Sequence, residues 1–192
     1  MLFSLKQEAP ASVGGGTFTQ PNDISLDSRY DAICGITEDE LYSVFGEAIS
    51  EMASKLNYTV ETMKAELKKQ YDGYHFSNAL IDVYNPFSII NAFNKMDIDN
   101  YWYKSGTPTY LVKLLEGHHV NMQKLTSRPY ESQYFVDYRA DAENPLAMLY
   151  QSGYLTIKGY DRHYREYTLD YPNVEVRKGF VALMAEANKC CS

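Results

Sequence analysis

Apolar and polar positions alternate with a helical period over much of the first half of the chain. Thr37-Glu38-Asp39-Glu40 reads as a capping box, with Thr37 as N-cap and Glu40 reaching back to it. Behind it an apolar face recurs as Leu41, Val44, Phe45, Ala48, Ile49, Met52, Ala53 and Leu56, with Ile36 and Leu41 placed as a hydrophobic staple. Thr59 opens a second helix carrying Val60, Met63, Leu67 and Tyr71, which stops at the turn signal Asp72-Gly73. An extended piece from Leu80 to Tyr84 leads to Asn85-Pro86, an N-cap followed by proline at the first helical position, and then to Phe87, Ile90 and Phe93. Thr107-Pro108 repeats the device, with Tyr110, Leu111, Leu114 and Leu115 running to a stop at Gly117.

The period weakens from His118 to Ala142, which reads as a connector, and changes afterwards. Asn144-Pro145 caps a short helix with Leu146, Leu149 and Tyr150 inward, ending at Gly153. Tyr154 to Tyr160 then alternates, Leu155 and Ile157 opposite Thr156 and Lys158, and Tyr167, Leu169 and Tyr171 alternate on the return. Asp161 to Arg165 makes the turn, and Pro172-Asn173 starts a last helix bearing Val176, Phe180 and Leu183. The pattern predicts a mainly α protein with a small β-hairpin. Its expected parts are a poorly ordered start over 1–22, a largely helical region over 23–117 (lid-like by the resemblance given below), a connector over 118–142 and a winged-helix-like module over 143–188.

Composition changes this picture little. At 192 residues, 45% hydrophobic and 22% charged, the chain can bury a sizeable core. Its 18 tyrosines suit half-buried faces of helices and strands. A net charge of −7 disfavours wholesale binding to a polyphosphate backbone. No apolar run reaches the roughly 18 residues that a membrane span needs, and the apolar stretch in MLFSLKQEAP is too short for a secretory signal. Three cysteines, Cys34 and the adjacent Cys190-Cys191, give no disulfide framework, so a reducing cytoplasm is expected.

Six segments in order, DISLDSRYDAICGITEDEL (23–41), KKQYDGYHF (68–76), VYNPFSIINAF (83–93), YWYKSGTPTYLVKLL (101–115), LYQSGYLTIKGYD (149–161) and YTLDYPNVEVRKGF (167–180), resemble the bacterial AAA-ATPase-like proteins. The resemblance implies a P-loop core, then a helical lid and winged-helix region, then often a nuclease-like domain of the PD-D/ExK type, with this chain matching only the middle. ATP and magnesium are implied for full-length relatives alone. The phosphate loop requires G-x-x-x-x-G-K-S/T so that backbone N–H groups, a lysine and a hydroxyl converge on the phosphates. Here Gly14-Gly15-Gly16 is followed by Thr17-Phe18. The chain is therefore expected to be a fragment, or the product of a disrupted gene, with no catalytic, cofactor-binding or metal residues of its own. Its expected partners are a separately encoded P-loop core or nuclease-like domain, and no membrane.

Five features admit both a functional and a plainer assignment. Tyr71-Asp72-Gly73-Tyr74-His75-Phe76 either touches nucleotide or a partner through Asp72 or His75, or is a helix stop with its aromatics packed inward; the second weighs more. Ser105-Gly106-Thr107-Pro108 either offers N–H groups to an anion or serves only as a cap, the latter again carrying more weight. Arg162, His163 and Arg165 at the hairpin tip, with Lys158 nearby, form the candidate nucleic-acid contact, diluted by Asp161, Glu166 and Asp170. The four histidines make no metal site, since His118-His119 project apart and His75 and His163 are remote in sequence. Glu66-Leu67-Lys68 spells a nuclease E-x-K, but on a helix.

Overall fold

A computed structural model describes residues 24–104, 122–136 and 145–189. The expected start over 1–22, the cap at 105–108 with its helix to Gly117, the His118-His119 pair, the cap at Asn144 and Cys190-Cys191 lie outside the described residues. The chain is mainly α-helical with one small antiparallel hairpin, as the hydrophobic periods predict. The helices are α1 (Glu38–Lys55), α2 (Val60–Tyr71), α3 (Pro86–Lys95), α4 (Tyr101–Lys104), α5 (Met122–Thr126), α6 (Pro145–Gln151) and α7 (Val174–Lys189). The strands β1 (Thr156–Asp161) and β2 (Glu166–Asp170) stand between α6 and α7. Among the described residues no helix is long and apolar enough to cross a membrane.

The caps form as their chemistry requires. Thr37 Oγ1 accepts from the Glu40 N–H, and Glu40 Oε2 accepts from the Thr37 N–H at 2.9 Å. Thr59 caps α2 and Asn85 caps α3, each satisfying N–H groups that the helix leaves free. Two expected faces shift on packing. Val44 is 70% exposed, because α1 is interrupted at Phe45 (φ −111°, ψ 16°), whose ring stacks on Phe93 at 5.3 Å. On α3 the buried side is Ser88, Ile89, Ala92 and Phe93, leaving Phe87 and Ile90 exposed. That rotation points the Ser88 hydroxyl at a buried carboxylate on α7.

Two apolar cores result. The first joins α1, α2 and α3 through Leu41, Ile49, Met52, Met63, Leu67, Tyr71, Ile89 and Phe93. The second lies under the hairpin and α7, with Tyr154, Ile157, Leu169, Val176 and Phe180. It also takes in Tyr74 and Val83, residues contributed by the helical half. Their strand-like bridge, Tyr74 to Val83, continues through a bridge from Tyr84 to Ile36. Gly35 is required there, since a Cβ would overlap the Val83 side chain.

In the hairpin, Ile157 faces Leu169 and Gly159 faces Thr168, so Lys158 is an extra residue in a bulge. Sequence alternation puts Thr156 on the outer side, yet it is as buried as Leu155 and Ile157. Both faces of β1 are covered at its start, one by the apolar core and the other by the turn that follows α2.

Candidate functional site

The turn after α2 and the bulged strand β1 meet in a joint where polar clasps stand beside the apolar contacts of Tyr74 and Val83. Gly73 ends α2 with φ +94°, a left-handed conformation that L side chains rarely adopt. A Cβ at this position would stand 2.5 Å from the Pro172 carbonyl oxygen. The close approach lets one ammonium serve both chains: Lys158 Nζ donates to Gly73 O at 2.6 Å and to Pro172 O at 3.0 Å. The bulge turns Lys158 back to this position, and burial pushes its pKa down from the usual lysine range while Asp82, Asp170 and Asp72 oppose that shift.

His75 is the second clasp. Its backbone N–H donates to Thr156 Oγ1 at 2.8 Å, and Thr156 Oγ1 donates to His75 O at 2.9 Å. The Nδ1–H donates to the Ile157 carbonyl at 2.6 Å, while Nε2 lies 2.7 Å from Asp82 Oδ1. The imidazole thus bridges β1 to the segment leading into α3. Tyr74 OH adds a bond to Gly153 O at 3.3 Å.

Glu175, fully buried in the first turn of α7, is the third clasp. Its Oε2 accepts from Ser88 Oγ at 2.7 Å, and its Oε1 accepts from the Trp102 N–H at 2.7 Å, the start of α4. Burial raises its pKa, and the hydrogen bonds from Ser88, Trp102 and Tyr101 limit the rise. One carboxylate therefore ties α3 and α4 to α7.

Asp72 is the unsatisfied member of the joint. Its side chain is 3% exposed and neither carboxylate oxygen has a hydrogen-bond partner. Lys68 Nζ is 3.9 Å away. Desolvation raises the Asp72 pKa to about 6, with the nearby Gly73 N–H and Lys68 pulling the other way. The helix-stop assignment of Tyr71-Asp72-Gly73-Tyr74-His75-Phe76 accounts for Gly73 and the inward aromatics. Asp72 bonds no neighbouring backbone, and His75 does more than end a helix.

At the tip, Arg162, His163, Tyr164 and Arg165 are exposed on a turn held by Asp161 Oδ1, which accepts from the N–H groups of His163 (2.8 Å) and Tyr164 (3.1 Å). Arg165 adopts φ 57° to close the turn. Three of the four candidate nucleic-acid residues are thus together and accessible. The fourth, Lys158, is committed to the joint instead. Glu66 and Lys68 pair with Lys69 and Glu38 on the surface of α2. Among the described residues no group of three or more His, Cys, Asp or Glu side chains is placed to hold a metal ion.

Sequence reasoning named neither Glu175 nor the structural role of Lys158. An acid in a helix's first turn is ordinary, and a bulge leaves only the faint signal of Gly159 in a strand. Gly159 is there because a Cβ would lie 2.6 Å from Thr168 Oγ1.

No family model matches the chain, and no solved structure matches it. It is 32% identical over 179 residues to an uncharacterised protein in the vnfD 5′ region of Azotobacter chroococcum mcd 1. The match covers 92% of this chain but 32% of that protein, so the chain spans about a third of the length of the curated relative it matches.

Proposed function

We propose that the chain is a regulatory and interaction segment of a longer, cytoplasmic AAA-ATPase-like protein. In this reading the helices around α1 to α3 form a lid-like region, and α6-β1-β2-α7 forms a winged-helix-like module. Nucleotide and magnesium are handled by a P-loop core outside this chain, and an effector such as a nuclease-like domain receives the signal. The supporting observation is the joint. Lys158, His75 and Glu175 connect the helical half to the hairpin module by hydrogen bonds that are largely shielded from water, where such bonds are strongest. A displacement of α2 or α3 is therefore carried to the hairpin tip rather than absorbed by a hinge. Calorimetry with ATP and magnesium on the purified chain tests the reading. It predicts no saturable heat, and micromolar binding would put a nucleotide site inside the segment and overturn it.

A second reading, a winged-helix DNA-binding module, draws on the exposed Arg162, His163 and Arg165 around Tyr164. It predicts binding to duplex DNA that falls steeply with salt and weakens on Arg162→Ala and Arg165→Ala. No binding at low salt eliminates it.

A further inference from the structure

Away from the joint, a cavity of about 50 Å³ lies where the Ser28–Tyr30 turn meets Phe76 and the end of α6. Its polar lining is one-sided. Asp31, 2% exposed, uses Oδ2 to accept from Ser77 Oγ at 2.6 Å and leaves Oδ1 without a partner. Gln151, 5% exposed, donates through Nε2 to the Val136 carbonyl at 2.9 Å and leaves Oε1 without a partner. The Val136 bond fixes the amide's orientation, since a carbonyl accepts only from the nitrogen end. Both free atoms are thus acceptors. Asp27, also in the lining, is already paired with Arg29. The remaining walls include the rings of Tyr30, Phe76 and Tyr150.

Buried acceptors without donors are costly, and a carboxylate more so than an amide. A guest that relieves both brings N–H groups and positive charge, and aromatic walls favour a flat cation. The volume exceeds the roughly 10–15 Å³ that one water needs but admits only a small head group.

We infer that this cavity is a binding site for a guanidinium group carried on a slender chain, with Asp31 as counter-ion and Gln151 Oε1 as second acceptor. Neither oxygen touches solvent, so a guest reaches them by displacing the Ser28–Tyr30 turn. The inference is independent of the coupling function.

The test is an NMR titration of the chain with methylguanidinium, methylammonium and the neutral isostere methylurea at constant ionic strength. Methylguanidinium is expected to give saturable shifts at Phe76, Tyr150 and Gln151 with a Kd on the order of 1 mM, the range open to so small a ligand. Methylammonium, which is not planar, is expected to bind several-fold more weakly, and methylurea at least about tenfold more weakly. Asp31→Asn is expected to abolish the shifts and Gln151→Leu to weaken binding about three- to tenfold. The methylurea comparison and Gln151→Leu decide the matter if Asp31→Asn fails to fold. Equal binding of a blocked arginine assigns the guest to a polypeptide side chain, whereas binding of methylguanidinium alone assigns it to a free small molecule. Absent shifts, shifts unchanged by both substitutions, or methylurea binding as well as methylguanidinium overturn the inference.

Discussion

Asp72 concentrates the electrostatics of the joint in one side chain. Its folded pKa of about 6 lies above the ordinary 3.8 because burial disfavours the charged form. A carboxyl raised in this way stabilises the fold fully below the unfolded pKa, and that stability is lost as pH rises through the folded value. Two pKa units correspond to about 3 kcal/mol between pH 4 and 7. Asp31 and Glu175 are raised in the same direction, so they add to the slope. Asp72→Asn is expected to flatten the dependence without removing it, and to stabilise the protein above pH 7 by about 1–3 kcal/mol. Urea unfolding at pH 5 and pH 8 checks this; an unchanged slope contradicts the assignment. The aspartate could be read from the sequence as a helix stop. Its desolvation could not, because that depends on Tyr84 and Pro172 being folded back over the α2 terminus, contacts between residues distant in the chain.

At the scale of elements, sequence legibility followed the range of the forces involved. The capping box at Thr37, the cap at Asn85, the stop at Gly73 and the alternation of β2 are local, and each forms where the residues place it. The exposed sides of Val44 and Phe87 were not legible, because a kink and a polar contact to α7 rotate those faces. The candidate site divided in the same way. Arg162, His163 and Arg165 stand at the tip as their turn dictates, but the bulge that carries Lys158 away exists only through pairing with β2. The joint and the tip should therefore respond differently to substitution. Lys158→Met leaves two carbonyls without a donor and is expected to cost about 2–4 kcal/mol. Gly73→Ala imposes a left-handed φ and a clash with Pro172 O, for a similar loss of about 2–4 kcal/mol. Arg162→Ala and Arg165→Ala are expected to stay within about 0.5 kcal/mol. Denaturant midpoints separate the two groups, and a tolerant Lys158 would show that the clasp contributes little.

Over the whole molecule, two cores share one polar seam. The helical core around Met52 and Leu67 and the hairpin core around Ile157 and Phe180 are each apolar, and between them lie His75, Lys158, Asp72 and Glu175. Polar seams demand partners in fixed positions, whereas apolar contacts tolerate sliding. Under the proposed function, that difference suits the seam to transmit a helix displacement to the hairpin tip. In the proposed function, a P-loop core outside this chain moves the helices.

Native-state hydrogen exchange tests the seam most directly, by comparing amides of α2 with those of β1 and β2 in the intact chain and in Lys158→Met. A single cooperative unit predicts that both sets open with the same free energy in the intact chain and separate in the variant, the strands opening first. Strands that already exchange far faster than α2 in the intact chain would contradict the account, because a hairpin that opens independently cannot transmit what the helices do.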